Sequence, residues 1–395
     1  MVLYTVGIAV QKSDKTKLNI IMVNLLFLIM PFLFANDLQN WDDAIEKTQK
    51  ETFRVETFAE GFDIPWGMAF LPNKDLIVSD RNGNLWRIKY KSKIKTKISG
   101  VPKVRYKGQG GLLDIEAHPD FINNNFLYIS FSDYLESNKN KSFTSIYRYQ
   151  LQNDNLIDKK IIFKTNNKFY SRSNIHYGIR MVFDKQGFIY FSIGDRGNRN
   201  QAQSLNYPNG KIHRLNDDGS IPMDNPFINV KNAIKSIWTY GNRNPQGLAI
   251  HPISEVIFES EHGPRGGDEL NILFSGNNYG WPEITYGKNY SGTTITKYTH
   301  KEGMEQPVIH WTPSIAVCGI DFYDGNIFKN WKNNLLVTSL KFENLYRLTI
   351  DQNKVIDQEI IYSAGSRIRD VETGPDGYIY LALEDPGRII RFISE

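Results

Sequence analysis

The sequence has little cysteine, little net charge and almost no helical periodicity. Its single cysteine, Cys318, excludes an intramolecular disulfide and a cysteine-based metal site. The formal net charge is +4, and basic residues cluster only at residues 89–97. A nucleic-acid footprint needs clustered Lys and Arg, so we expect no nucleic-acid partner. We interpret residues 89–97 as a solvated strand or hairpin, and Cys318 as a buried residue of an apolar strand.

Long apolar runs are also scarce, because only residues 20–35 form one, and three lysines precede it. A positive flank before an apolar core predicts a secretory signal peptide over residues 1–35. The end of the run, Leu33-Phe34-Ala35, lacks the small residue expected two positions before Ala35, so an uncleaved N-terminal anchor remains the alternative. Either interpretation predicts a periplasmic or secreted protein.

What is abundant is a repeat. An apolar alternating strand, a turn and a second apolar strand recur six times, and most copies continue into a third strand with an apolar–Arg–apolar pattern. Hairpins repeated without helical periodicity predict an all-β, six-bladed β-propeller with four-stranded antiparallel blades. A pair of β-sandwiches would explain the strands but not the repeat. The copies begin at Gly67, Leu112, Ile179, Gly247, Gly319 and Arg369, and the third-strand arginines are Arg87, Arg148, Arg214, Arg347 and Arg391.

The repeat also sets the predicted domain limits. We expect a linker over residues 36–52 and one propeller domain over residues 53–395. Propeller sites are built from loops of several blades, so functional groups should be scattered along the chain near strand ends.

The densest polar stretch spans residues 237–282. Arg243 and Asn244 precede a proline, and Arg243 offers a guanidinium fork for a carboxylate or an oxyanion. Gly263 and Pro264 follow, with carbonyl groups suited to a hard cation, and acidic residues come next. Carboxylate and carbonyl oxygens are the ligands that Ca²⁺ prefers. The alternative is an ordinary Gly-Pro turn with a salt-bridged arginine.

Two other motifs carry candidate chemistry. His176 precedes a strand of the third repeat and Asp195 ends the same repeat, so a hairpin can bring them together. A carboxylate beside an imidazole is the arrangement of a general base, although a lone histidine is often structural. Gln109 lies between glycines, which indicates close approach of a ligand or an ordinary turn.

The last two repeats add cations. Arg367 and Arg369 are two residues apart and therefore share one face of a strand, and Lys341 lies in the preceding repeat. They are either exposed ion-pairing residues or a cluster that binds a polyanion. Together with a cation site, they suggest a polycarboxylate cofactor held by Ca²⁺, without naming a reaction.

With these motifs in view, the chain resembles the soluble aldose sugar dehydrogenases of the glucose/sorbosone dehydrogenase family, which depend on pyrroloquinoline quinone (PQQ). The resemblance covers residues 53–395. It is carried by GQGGLLDIEAHP, the histidine before IYFSIGDRG, GKIHRLNDDGSIPMDNPF, IWTYGNRNPQGLAIHP, EHGPRGGDELN, NNYGWP and RIRDVETGPDGYIY.

The resemblance implies a role for each polar residue near the reaction. His176 would accept the proton of the sugar C1 hydroxyl while a hydride passes to the quinone, and Asp195 would orient it. Gln109 would lie beside the reacting oxygens. Arg243 would stabilise negative charge at the reactive carbonyl of the cofactor, and Asn244 would bond the cofactor. Some relatives carry an aspartate before the histidine, where this chain has Ile175.

The resemblance also implies how the cofactors are held. Carbonyls of Gly263 and Pro264 would bind the Ca²⁺ that contacts PQQ, and Glu269 and Tyr279 resemble a second Ca²⁺ site. A carboxylate clamp would consist of Lys341, Arg367 and Arg369.

The expected activity is oxidation of aldoses to aldonolactones, with an unidentified electron acceptor and a monomer or homodimer as the assembly. The alternatives are a Ca²⁺-dependent propeller lactonase, which would lack the basic clamp, and a non-catalytic propeller binding module.

Overall fold

The computed structural model describes residues 45–394, which form six antiparallel sheets. The six-bladed β-propeller predicted from the repeats is therefore confirmed. The predicted signal peptide lies outside the described residues. Within residues 45–394, no helix has the length and apolar character needed to cross a membrane.

The strands follow the predicted repeats. In the strand order of each sheet, the first strand of the blade lies at one end. β1 (Ile45–Lys47) and β2 (Thr52–Phe62) precede blade 1, which contains β3 (Pro65–Phe70), β4 (Leu76–Asp80), β5 (Asn84–Ile88) and β6 (Lys95–Ile98). Blade 2 contains β7 (Leu112–Ala117), β8 (Phe126–Leu135), β9 (Asn138–Gln152) and β10 (Asn155–Lys164). Blade 3 contains β11 (Met181–Phe183), β12 (Phe188–Ile193), β13 (Lys211–Asn216) and β14 (Ile237–Tyr240).

Blades 4 to 6 repeat this plan. Blade 4 contains β15 (Pro245–Ile250), β16 (Ile257–Glu261), β17 (Asp268–Ile272) and β18 (Ile309–Trp311). Blade 5 contains β19 (Val317–Phe322), β20 (Leu335–Ser339), β21 (Asn344–Asp351) and β22 (Lys354–Ser363), and blade 6 contains β23 (Ile368–Thr373), β24 (Ile379–Glu384) and β25 (Gly387–Ser394). The helical segments of the described residues are short: α1 (Phe121–Asn124) and the 3₁₀ turns Asn167–Phe169, Arg199–Gln203 and Lys329–Trp331.

The sixth blade is completed by the N-terminal end of the described chain. β2 pairs with β25, so this sheet runs β1-β2-β25-β24-β23 and has five strands, whereas the other five sheets have four. The short strand β1 lies within the segment expected to be a linker, and it pairs with β2. Pairing of the first and last long strands closes the ring and removes its open ends.

Apolar side chains hold neighbouring blades together. Six hydrophobic clusters each join two adjacent blades, and one of them packs Met68 of blade 1 against Tyr380 of blade 6. Alternating strands produce this arrangement, because each blade has two faces and buries both against its neighbours. Cys318 is fully buried, as predicted. The basic residues 89–97 form the turn and outer strand of a hairpin, also as predicted.

One arginine ties four blades together at the centre. Arg180 Nη1 lies 2.8 Å from Asp114 Oδ1 and 2.9 Å from Asp370 Oδ1, and Arg180 Nε donates to the carbonyl oxygen of Gln246 at 3.1 Å. All three charged side chains are buried. Breaking such a pair leaves uncompensated buried charge, so Arg180 fixes the spacing of blades 2, 3, 4 and 6 around the channel.

Candidate active site

The first strands of the blades begin at one end of the ring, and their leading loops enclose a cavity of about 190 Å³. All six blades contribute to its wall. The lining residues are Ile64, Trp66, Arg81, Gln109, Leu113, Tyr177, Gly178, Asn244, Gln246, His262, Leu340, Arg367, Arg369 and Glu384. Four predicted site residues, Gln109, Asn244, Arg367 and Arg369, are therefore brought together. We call this space the central cavity.

His176 and Asp195 form the predicted pair. His176 Nδ1 lies 2.6 Å from Asp195 Oδ1. Burial raises the pKa of Asp195, but the hydrogen bond from His176 and the charge of Arg243 outweigh burial, so this pKa lies below its ordinary value. The ionised carboxylate can only accept, which places the imidazole proton on Nδ1. Burial lowers the pKa of His176 despite the Asp195 bond, so the ring is neutral near pH 7 and Nε2 can accept a proton.

Trp281 is a third member of this group that the sequence interpretation did not single out, although NNYGWP contains it. The buried indole Nε1 donates to Asp195 Oδ2 at 2.8 Å. Gly197 N donates to Oδ1 at 2.7 Å, so both carboxylate oxygens are fixed. The Arg243 guanidinium carbon lies 5.3 Å from the centroid of the Trp281 ring. Trp281 thus links the carboxylate of the pair to the predicted oxyanion-stabilising arginine.

The loop that carries His176 is held in a strained conformation. His176 and Ile179 have φ angles of 52° and 76°, which are costly for a side chain with a Cβ and most costly for a β-branched one. Gly194 permits the close approach that this requires, because a Cβ there would lie 2.6 Å from the His176 carbonyl oxygen. Arg196 secures the loop by donating from Nη2 to the carbonyl oxygen of Ser173 at 2.6 Å.

The two amides of the site are anchored on one side. Gln109 Oε1 accepts from His176 N at 2.6 Å, which leaves the NH₂ group of Gln109 for a ligand. Asn244 Oδ1 accepts from Gly178 N at 3.2 Å, with the same consequence for its NH₂ group. Both side chains line the central cavity and present donors to it.

Arg243 lies beside the central cavity, in the wall of a second, smaller one. Its Nη1 donates to the carbonyl oxygen of His262 at 2.7 Å, and its Nε is buried with no hydrogen-bond partner among residues 45–394. The Arg243 carbonyl accepts from Asp195 N at 2.7 Å. These bonds fix the position of the guanidinium relative to the His176–Asp195 pair.

Arg367 and Arg369, which we call the arginine pair, share one carboxylate that the sequence interpretation missed. Arg367 Nε donates to Glu384 Oε2 at 2.6 Å, and Arg369 Nε donates to Glu384 Oε1 at 2.8 Å. Glu384 ends β24 in an ordinary turn sequence, so no local pattern marked it. Lys341 is exposed and does not line the cavity, whereas its neighbour Leu340 does. Of the three basic residues, Arg369 is therefore buried and already paired with Glu384, whereas Arg367 and Lys341 are exposed.

The four predicted metal ligands all border the smaller cavity, of about 10 Å³, which has room for one water-sized occupant. They are Gly263, Pro264, Glu269 and Tyr279, and Glu261 lies beside them. The Tyr279 hydroxyl donates to the Ile272 carbonyl oxygen at 2.6 Å, so only its own carbonyl remains for a cation. The Pro264 carbonyl already accepts a bond from Ser314 at 3.2 Å.

Carboxylates crowd this cavity, and among residues 45–394 only Arg243 brings a positive charge to its wall. Glu261 and Glu269 are direct cross-strand partners, and Glu259 precedes Glu261 on the same face. Burial raises the pKa of Glu261 to about 7 and that of Glu269 well above its ordinary value. Glu259 Oε1 is buried and has no hydrogen-bond partner in the described part of the chain. Residues 45–394 hold no ready-made group of three His, Cys, Asp or Glu ligands, so a cation here would depend on carbonyl oxygens as well.

The site can be compared with known proteins over nearly its whole domain. The family described as Glucose / Sorbosone dehydrogenase matches residues 62–391. The aldose sugar dehydrogenase YliI of Escherichia coli is 40% identical over 345 residues, which cover 86% of this chain and 92% of that protein.

Two solved structures extend the comparison. The apo form of the soluble aldose sugar dehydrogenase of Escherichia coli has a TM-score of 0.82 and 38% identity, covering 87% of this chain and 100% of that one. The PQQ-bound aldose sugar dehydrogenase of Streptomyces coelicolor has a TM-score of 0.71 and 27% identity, covering 86% and 98%.

Proposed function

The chain belongs to the glucose/sorbosone dehydrogenase family, and from this premise we propose that it oxidises aldose sugars at C1 to aldonolactones with PQQ and Ca²⁺ as cofactors. One observation carries the proposal: the central cavity gathers two amides and the arginine pair next to a His–Asp pair. A lactonase would use acidic metal ligands in place of such a basic wall. We place the activity outside the cytoplasm on the apolar run of residues 20–35 alone.

The wall of the central cavity suits PQQ, a planar, anionic tricarboxylate. The arginine pair would bind carboxylates, since a guanidinium matches a carboxylate with two parallel hydrogen bonds. Gln109 and Asn244 would bond the carbonyl and ring positions through their free NH₂ groups, and Lys341 would add charge at the rim. When bound, the quinone supplies the acceptor for two electrons.

The smaller cavity suits one Ca²⁺ ion, so the ligands that the resemblance divides between two Ca²⁺ sites would serve a single ion here. Directly opposed glutamates repel each other unless a cation or a proton separates them, and Glu261 and Glu269 are so placed. Carbonyls of Gly263, Pro264 and Tyr279 would complete a mixed carboxylate and carbonyl set, which is the chemistry Ca²⁺ prefers. The buried Glu259 Oε1, which has no hydrogen-bond partner among residues 45–394, lies on the same face of β16 as Glu261.

The chain's own residues handle the proton. His176 Nε2 makes no hydrogen bond within residues 45–394, so it is free to take the proton of the sugar C1 hydroxyl. Asp195 holds the required tautomer and stabilises the imidazolium that results. Arg243 places a fixed positive charge near this point, which favours negative charge that develops during the reaction. The Gln109 NH₂ group is positioned to donate to the reacting oxygens.

The test uses the chain purified without cofactors. Dye reduction on a panel of aldoses should require both PQQ and Ca²⁺, and His176→Ala should abolish turnover while PQQ still binds. His251→Ala is the matched control, because His251 follows the opposite end of β15 from the site. No PQQ binding by the wild-type chain would refute the cofactor assignment. Binding without turnover on any aldose would refute the substrate class.

A further inference from the structure

One position recurs at the central cavity in three blades. Arg81, His262 and Leu340 directly follow the second strand of blades 1, 4 and 5, and the backbone N–H of each donates to the carbonyl oxygen of the residue before the first strand of the same blade. Repeated blades place equivalent positions at the same end of the ring, and all three residues line the central cavity. Neither the motifs nor the proposed mechanism assigns a role to Arg81.

Arg81 lines the central cavity together with the arginine pair. Its charge is uncompensated, because no carboxylate lies within ion-pair distance of it in the described part of the chain. Its Nε is buried without a hydrogen-bond partner. Its guanidinium carbon lies 5.3 Å from the centroid of the Tyr106 ring, and the Tyr106 hydroxyl donates to Asp63 Oδ2 at 2.8 Å. Arg81 therefore differs from the arginine pair, whose charge Glu384 already offsets.

The backbone of Arg81 is rigidly held. Arg81 N donates to the Ile64 carbonyl oxygen at 3.0 Å, and the Arg81 carbonyl accepts from Leu112 N at 3.0 Å. Gly111 packs directly on it, since a Cβ at Gly111 would lie 2.0 Å from the Arg81 carbonyl oxygen. The tight Gly110-Gly111 turn after Gln109 thus presses the loops of blades 1 and 2 together. A guanidinium on a fixed backbone and an aromatic ring loses little freedom when it binds an anion.

We propose that Arg81 is a further cofactor-binding residue, which binds a carboxylate of the anionic cofactor from blade 1, next to the blade that carries the arginine pair. The inference rests on the proposed function and adds a residue to it. Apart from Arg81, the arginine pair and Glu384 leave a single net positive charge among the cavity-lining residues, and Lys341 at the rim raises it only to two, against three carboxylates. Arg81 supplies the additional charge, and the bound carboxylate gives its guanidinium the partner that the protein does not provide.

The experiment measures PQQ binding to the apo-protein by quenching of tryptophan fluorescence, since Trp66 lines the cavity. Arg81→Gln should weaken PQQ binding at least tenfold, in the range of lost hydrogen bonds to a charged group. The trimethyl ester of PQQ should bind wild type and Arg81→Gln equally, because it carries no carboxylates. Lys97→Gln makes the same charge change on the outer strand β6 and should leave both affinities unchanged.

The outcomes separate the two proposals. If wild type binds no PQQ, the proposed function fails and this inference fails with it. If wild type binds PQQ and Arg81→Gln binds within twofold of it, or loses acid and ester affinity equally, the role of Arg81 is refuted while the proposed function stands. The thermal midpoint of apo Arg81→Gln should match wild type, because no ion pair is lost. If Arg81→Gln does not fold, Arg81→Lys replaces it, because lysine keeps the positive charge but cannot form two parallel hydrogen bonds to a carboxylate. Arg81→Lys should bind PQQ more weakly than wild type does. Unchanged affinity would overturn the proposal.

Discussion

The bond from Trp281 to Asp195 allows a sharp test of the base. Trp281→Phe removes the indole N–H that donates to Asp195 Oδ2 at 2.8 Å and keeps an aromatic ring below Arg243. Asp195 then retains the bonds to Oδ1 only, from His176 and Gly197. A carboxylate with one donor fewer carries more negative charge on its oxygens. It therefore stabilises the imidazolium more, and the pKa of His176 rises.

The size of this effect follows from the bond that is lost. A hydrogen bond to a charged group contributes about 1.5–3 kcal/mol. If about half of this reaches the protonation equilibrium of His176, its pKa rises by roughly 0.5–1 unit, at 1.36 kcal/mol per unit. A base must be neutral to act, so the acid limb of the profile of kcat/KM against pH should move to higher pH by that amount. At pH values below the pKa of His176, kcat/KM of Trp281→Phe should be about three- to tenfold lower than that of wild type.

The assay is dye reduction with saturating cofactors across the pH range, and Trp238→Phe is the control. The Trp238 indole Nε1 is buried but has no hydrogen-bond partner among residues 45–394. The control therefore loses the same atoms without losing a bond, and its profile should coincide with that of wild type. If the acid limb of Trp281→Phe lies within about 0.2 pH unit of the limbs of wild type and Trp238→Phe, Trp281 does not affect the pKa of His176 and the reasoning is wrong.

Three further predictions concern charge. Arg180→Met should lower the free energy of unfolding by about 3–5 kcal/mol in urea, because it leaves Asp114 and Asp370 buried without a cation; a loss below about 1 kcal/mol would contradict the role of Arg180. Burial holds the pKa of Glu261 at about 7, above its ordinary 4.5, so the folded apo-protein keeps a proton that the unfolded chain releases. Its stability should therefore fall as pH rises from 4.5 to 7, Ca²⁺ should remove that fall, and Glu261→Gln should abolish the Ca²⁺ effect; an unchanged Ca²⁺ response would argue against this site. Glu384→Gln should lower the thermal midpoint of the apo-protein and enlarge the rise that PQQ produces, since the arginine pair then lacks its carboxylate; an unchanged rise would show that the pair does not bind PQQ.

The fold could be predicted because each blade is a local hairpin pattern repeated in the chain. The features that could not be predicted from the sequence depend on contacts between residues that are far apart in the chain. Nothing near residue 52 indicates that β2 pairs with β25, since the partner lies at the other end of the sequence. Glu269 is predicted only as a Ca²⁺ ligand, and the structure shows that it also belongs to β17, the third strand of blade 4, which the repeat pattern did not identify.

The site was predictable where a motif concentrates unusual residues, and obscure elsewhere. His176 and Asp195 were paired correctly from one hairpin. Glu384, the last residue of β24, and Arg81, which directly follows β4, were missed because each stands in a sequence typical of any surface turn. Their significance comes from the ring, which brings the ends of blades 1 and 6 to the same cavity.

The pairing of β2 with β25 also orders events in the life of the chain. Phe53 pairs with Ser394, so β2 is synthesised well before its partner strand β25. Until then the ring is open and the loops of all six blades cannot enclose the central cavity. A product truncated before β25 would lack the β2–β25 pairing and therefore could not enclose the central cavity. Assembly of the central cavity is therefore a late event, which requires synthesis to extend through β25.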